Sequence, residues 1–286
     1  MSSVYQVITD RILSSLEGGV VPWRKSWASG MPANLVSGRE YRGVNRLLLA
    51  CTDYESNLWL TFNQCRAAGG SIRRGSKGMP VIYWNVRDSE DLDGRMRRDF
   101  ILRYFVVFNV AQTERLSLPP AVVRKPFDVI ARCEAIVANY QGGPRIEHGG
   151  SRAYYSPLED RVQMPPRASF FSAPDYYSTL FHELSHSTGS KSRLNRLGVA
   201  DVARFDRHES YALEELVAEI ASAFLAADAS IAPLVLDQSA AYIAGWLKSL
   251  HSDPKMVIVA SALAQRATEL ILGREARAEE AMAEAA

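Results

Sequence analysis

The chain has 286 residues, 47% of them hydrophobic and 23% charged, a balance that fits a globular protein and excludes a disordered or low-complexity one. The net charge of +1 hides a split, since residues 1–125 carry 18 Lys and Arg against 11 Asp and Glu (net +7) and residues 126–286 carry 15 against 21 (net −6), which points to an anionic partner for the first half. Three scattered cysteines without a C-x-x-C pair exclude a disulfide framework and a zinc ribbon, and the lack of an apolar h-region or a run of ~20 apolar residues excludes a secretory signal and a membrane span, so no membrane partner and a reducing cytoplasm are expected.

Val4, Val7, Ile8, Ile12 and Leu16 recur at helical spacing, and Gly18-Gly19 ends that helix. Pro22 to Trp27 is irregular. Leu35 to Tyr41, with Ser37-Gly38 at its centre, reads as a small hairpin. Val44, Leu47, Leu48 and Cys51 suggest a second helix. Thr61 followed by Gln64 is a capping-box start for a third, which Gly69-Gly70 ends. Met79 to Val86 and Phe100 to Val110 are strand-like, rich in Val, Ile, Tyr and Phe, with Arg87 to Asp99 expected as a solvated loop between them. Ser117 to Pro126 holds three prolines and marks the change of charge sign. It sets a boundary between domains at 1–120 and 121–286, with semi-independent halves expected on either side. Beyond it, Phe127 to Tyr140 is a helix and Gly142-Gly143-Pro144 a break. Tyr154-Tyr155 and Arg161 to Met164 flank a hairpin turn. From Asp175, a plausible cap, the chain is mostly helical: 175–188, 208–228, 234–251, and 254–272 with Pro254 at the first helical position. Strands and helices mix without strict alternation, so the fold class is α+β: a mixed sheet-and-helix first domain, then a mostly helical second domain with a small sheet.

The sharpest chemical signal is Phe181-His182-Glu183-Leu184-Ser185-His186. Residues four apart share a helix face, so His182 and His186 can grip one Zn²⁺. Glu183 is offset by one position and can reach a water at the metal, the arrangement in which an H-E-x-x-H zinc peptidase uses its Glu as general base. A catalytic site needs a third protein ligand, and Glu215 and Glu219 lie four apart on one downstream helix. Glu215 is assigned as ligand and Glu219 as the partner of a ligand histidine; the reverse assignment stays open. Glu214 is expected to be solvated. Tyr211 can donate to an oxyanion or be a buried Tyr with a satisfied hydroxyl. The hairpin ending at Met164 can pair with an extended peptide or simply close the fold.

Four of the five Trp fall in the first 125 residues, with basic residues interleaved: Trp23-Arg24-Lys25-Ser26-Trp27, Arg42, Trp59, and Arg73-Arg74-Gly75-Ser76-Lys77 running into the strand of Trp84. Single-stranded nucleic acid is held by bases stacked on aromatics and phosphates met by Lys and Arg. Core tryptophans beside a solvated charged face would look the same.

With these residues in hand, the chain resembles the ArdC-type antirestriction proteins of conjugative plasmids and phages over nearly its full length. The resemblance runs through Gly19-Val20-Val21-Pro22-Trp23-Arg24-Lys25, Tyr41-Arg42-Gly43-Val44-Asn45, Trp59-Leu60-Thr61-Phe62 and Phe108-Asn109-Val110. It continues through Phe181 to Gly189, Arg193-Leu194-Asn195-Arg196 and Tyr211 to Glu219. It implies a single-stranded-DNA-binding domain joined to a zincin-type metallopeptidase domain, and protection of incoming DNA against restriction. The expected DNA-binding set is Trp23, Arg24, Lys25, Trp27, Arg42, Asn45, Trp59, Arg73, Arg74, Lys77 and Trp84. The expected metal is Zn²⁺, with another divalent ion such as Mn²⁺ as the alternative, and an unidentified protein is the expected substrate. The rival reading is a DNA-coating protein whose metal only stabilises the second half.

Overall fold

A long antiparallel hairpin organises the first half. The structure, a computed structural model, describes residues 4–18, 21, 31–50, 52, 54, 56–90, 96–116, 129–170, 172–196, 209–231 and 240–274. In the hairpin, β1 (Ala33–Asn34) and β2 (Leu58–Thr61) lie beside β4 (Met79–Glu90) and β5 (Met96–Asn109), in the sheet order β1-β2-β5-β4. β4 and β5 pair from Met79–Val107 through Glu90–Met96. The expectation of a solvated loop at 87–99 is corrected for the described residues: the ladder runs on, with 87–90 paired to 96–99.

The Leu35–Tyr41 segment is a turn closed by a single bridge between Ala33 and Glu40, not a ladder, because β1 spends its pairing on β2. Helix α1 (Val4–Glu17) ends before Gly18, and α2 (Val44–Ala50) packs on β4. Helix α3 (Phe62–Ala67) begins with the capping box read from the sequence: Gln64 N–H donates to Thr61 Oγ1, and Thr61 N–H to Gln64 Oε1. Gly69, at φ +80°, lets the chain leave α3 in a left-handed conformation. A ribbon of β3 (Ser71–Ile72) and β6 (Thr113–Glu114) follows.

In the second half, α4 (Val129–Asn139) precedes a three-stranded sheet of β7 (Arg145–His148), β8 (Tyr154–Ser156) and β9 (Arg161–Met164), in order β7-β9-β8. The β8–β9 hairpin is antiparallel, and β7 adds in parallel to β9. Then come α5 (Ala173–Ser187), α6 (Glu209–Ala229), α7 (Ala240–Ser252) and α8 (Met256–Ile271). Ser172, not Asp175, caps α5, its Oγ accepting from Asp175 N–H. Pro254 precedes α8 instead of opening it, in a turn closed by Met256 N–H on Asp253 O.

Helix α6 is apolar nearly all round, the pattern of a helix buried on every side. Its Leu216, Val217, Ile220, Ala221 and Phe224 join the largest core cluster with Ile8, Trp59, Val81 and Val107 of the first half and Val257 and Ala264 of α8. Its Leu225, Ala226 and Ala229 join a second cluster with Cys133, Val162, Phe181 and Leu184. Arg46 of α2 is buried with its guanidinium 4.5 Å above the Phe224 ring. The expectation of semi-independent halves is therefore corrected: one core spans both. The expected linker at Ser117–Pro126 lies outside the described residues. Among the described residues, no helix is long and apolar enough to cross a membrane.

Candidate functional site

Helix α5 sits where its sequence periodicity sends it. Tyr176, Tyr177, Leu180, Phe181 and Leu184 are buried, which anchors one side of the helix and turns His182 and His186 together towards α6. Their Nε2 atoms are 3.1 Å apart, with the rings nearly perpendicular. From α6, Glu215 places Oε2 3.6 Å from His182 Nε2 and Oε1 3.5 Å from His186 Nε2. One ligand atom from each of the three residues lies within 4.8 Å of the others.

These spacings suit one cation. Tetrahedral bonds of ~2.0–2.1 Å put ligand atoms about 3.3 Å apart, close to the 3.1–3.6 Å seen here. The local charge agrees. Burial opposes a proton on His182, but the Glu215 hydrogen bond and the carboxylates of Glu183, Glu219 and Glu215 outweigh it and raise its pKa above the ordinary histidine value. Glu183 is buried beside His182, and its carboxylate makes no hydrogen bond among the described residues. Glu219, one turn beyond Glu215, acts on His182 through its charge.

The expectation that Glu214 is solvated is corrected. It is 7% exposed, with Oε1 3.2 Å from His186 Nδ1. Arg196 holds it in a bidentate pair, Nε donating to Oε2 at 2.8 Å and Nη2 to Oε1 at 2.6 Å. Arg196 also donates to Thr188 Oγ1 and Ser185 O. Burial alone would raise the Glu214 pKa, but Arg196 and His186 outweigh it and hold it below the ordinary carboxylate value. An ionised Glu214 accepts from Nδ1–H, which leaves the His186 Nε2 lone pair free for a metal. The histidine-holding role given to Glu219 thus has a second occupant, one the spacing rule passed over because Arg196 is 18 residues away in sequence. The Tyr211 side chain lies outside the described residues.

A second network fixes the small sheet on α5. Arg193 clamps Asp160 with both terminal nitrogens, at 2.8 and 2.7 Å, and also donates to Ser187 O and Gly142 O. Tyr155 donates to Asp160, and burial together with that carboxylate pushes its hydroxyl up to about 12. Strand β8 is left at the sheet edge.

Of the expected DNA-binding residues that the structure describes, some are exposed and some are buried. Trp23, Arg24, Lys25 and Trp27 lie outside the described residues, as does the side chain of Trp84 on β4. Trp59 is 1% exposed in the shared core, so its ring cannot stack on a base. Asn45 is buried and clamps the free edge of β4: its Nδ2 donates to Ile82 O and its Oδ1 accepts from Ile82 N–H, both at 2.7 Å. Arg42 pairs with Glu269 of α8. Trp59 and Asn45 are taken up by the core and by β4, whereas Arg42, 34% exposed, is tied to α8. Arg73, Arg74 and Lys77 are exposed in the turn between β3 and β4.

Comparison with known proteins agrees with this layout. Residues 2–108 match the family model described as the N-terminal domain of anti-restriction factor ArdC, and residues 131–263 that of a zincin-like metallopeptidase. The crystal structure of the antirestriction protein ArdC from plasmid R388, metal-free, is similar at TM-score 0.78 and 38% identity, over 94% of this chain and 97% of that one. Its Mn(II)-bound structure is similar at TM-score 0.77 and 37% identity, with the same coverage. The Sinorhizobium fredii protein y4eC is 32% identical over 97% of this chain and 94% of its own length. An Escherichia coli DNA primase TraC is 33% identical over 95% of this chain, which spans only 27% of that primase.

Proposed function

Because this chain belongs to the ArdC family of antirestriction proteins, we propose that it holds single-stranded DNA through its first half and hydrolyses peptide bonds of a protein substrate at a zinc centre in its second. Acting in the cytoplasm, it would protect incoming DNA against restriction. His182, His186 and Glu215 hold the cation, with Mn²⁺ as the alternative to Zn²⁺; the Mn(II)-bound relative supports a divalent ion. The carrying observation is the convergence of these three residues with Glu183 buried beside them and its carboxylate hydrogen-bonded to no protein group among the described residues.

When bound, the cation supplies Lewis acidity to the attacking water and to the scissile carbonyl. Glu183 takes the proton from that water and passes it to the leaving amine. Glu214, braced by Arg196, keeps the His186 ring in the tautomer and orientation a ligand needs. The Arg193–Asp160 clamp holds the β8–β9 hairpin against α5, and the open edge of β8 is where an extended peptide substrate would pair. A site that only stabilised the fold would be closed by four protein ligands; three converge among the described residues, which favours the hydrolase over the DNA-coating rival. The test is metal content and peptide cleavage by the purified chain, with and without single-stranded DNA. Stoichiometric Zn²⁺ or Mn²⁺ with cleavage supports the reading, and a metal-loaded protein inert under both conditions contradicts the hydrolase.

A further inference from the structure

The part of β5 that is open to solvent carries apolar residues where a one-sided sheet normally carries polar ones. Tyr104 is 60% and Val106 43% exposed at alternate positions of β5, and half-buried Phe108 continues the row. Pro80 faces Val106 across the hairpin. Gly78 keeps the surface open, because a Cβ there would run into Val106 Cγ1 and Phe108.

The basic turn lies at the Phe108 end of this row. Gln112, in the short helical turn that directly follows β5, accepts from Arg73 N–H at 2.9 Å and donates from Nε2 to Lys77 O at 2.9 Å. Gly75, at φ +83°, allows the tight reversal between them. Arg73, Arg74 and Lys77 are all exposed. Glu114 approaches only Arg73, at 3.9 Å, and among the described residues Arg74 and Lys77 face no carboxylate.

We propose that this face, with Tyr104, Val106 and Phe108 beside the Arg73–Lys77 turn, is the surface on which the chain holds single-stranded DNA. Bases stack on the Tyr104 and Phe108 rings, and the turn meets the phosphates. The inference rests on the reading of the first half as a DNA binder and gives that reading its residues. An exposed ring offers a π-face that any base can use, and Arg74 and Lys77, which face no carboxylate among the described residues, match a polyanion, whereas the core of a protein–protein patch is depleted in Lys. The +7 charge of residues 1–125 points the same way.

The test is fluorescence anisotropy of a fluorescein-labelled oligothymidylate titrated with the full chain at several salt concentrations. Tyr104→Ala weakens binding about tenfold, the order of one lost base stack. Tyr104→Phe, which keeps the ring, binds as wild type, whereas Tyr104→Leu does not. Arg74→Gln with Lys77→Gln lowers the slope of log K against log salt by about 1.4, two phosphate contacts on a single strand. All three side chains are exposed, so thermal melts stay those of wild type. If wild type binds and both Tyr104→Ala and the double variant bind within twofold of it, the surface is wrong while the DNA reading stands. If Tyr104→Ala leaves DNA binding intact and abolishes self-association, the patch is a protein interface and the proposal falls. If wild type shows no binding at low salt, the DNA reading itself falls.

Discussion

Replacing Arg196 by methionine strips Glu214 of both strong hydrogen bonds, of 2.8 and 2.6 Å, and leaves His186 as its remaining hydrogen-bond partner. The carboxylate is 7% exposed, so water cannot replace the guanidinium. Breaking a buried pair from one side costs about 3–5 kcal/mol, which for a chain of this length lowers the melting midpoint of the metal-free protein by about 5–8 °C. The second effect is on metal. A Glu214 no longer held in place orients His186 poorly, and loss of such an outer partner weakens metal affinity about 10–100-fold. Adding Glu214→Leu separates the two. The double variant buries no lone charge and regains much of the stability, but metal binding stays weak because His186 Nδ1 has lost its acceptor. The assays are calorimetric melting of the chelator-treated chain and Zn²⁺ competition against a chromophoric chelator. If Arg196→Met melts within about 1 °C of wild type and binds Zn²⁺ within about twofold, the argument fails, since neither the burial term nor the outer-shell term would then be operating.

His182→Ala with His186→Ala should abolish stoichiometric metal and remove the metal-dependent rise in melting temperature, as elemental analysis and melting with and without Zn²⁺ would report. Trp59→Ala should destabilise the chain by about 3–5 kcal/mol, the penalty for truncating a buried ring; urea denaturation measures it, and DNA affinity per folded molecule should not change. Acid should unfold the metal-free chain through Glu214 and Asp160. Both have folded pKa values below their ordinary ones, Glu214 because Arg196 and His186 outweigh its burial, and Asp160 chiefly because of Arg193. Their stabilisation is therefore full above the ordinary carboxylate range, about pH 4, and is lost as pH falls through the folded values. Asp160 is half-exposed and contributes the smaller part. Urea denaturation from about pH 6 to pH 3 should show the loss, and Glu214→Gln should flatten it.

Local chemistry was legible from sequence wherever the partners lie within a few residues. The Thr61–Gln64 capping box depends on four residues and forms as read. The H-E-x-x-H helix carries its own periodicity, and His182 and His186 share a face because the helix makes them do so. Features set by distant segments were not legible. Glu214 and Glu215 are neighbours that differ by about 100° around the helix, and nothing local says that Arg196 waits on the Glu214 side. Trp59 and Asn45 have the residue types of a DNA-contact set, yet the shared core takes one ring and the β4 edge takes the other amide. The hairpin outran its apolar run because backbone pairing depends on the partner strand, which a single strand does not show, and residues 87–90 and 96–99 pair. The unity of the core was readable in part from α6, whose apolar residues fall on more than one face, as in a helix placed between two layers.

Glu183→Gln separates metal binding from hydrolysis. It keeps the shape of the side chain but cannot accept a proton, and it leaves His182, His186 and Glu215 in place. The measurement is peptide cleavage by the metal-loaded variant, with metal content and DNA binding determined on the same sample. The variant should keep wild-type metal and wild-type DNA affinity, with a cleavage rate lower by a factor on the order of 10²–10⁴, the usual contribution of a general base. Cleavage at the wild-type rate with metal bound would contradict that role.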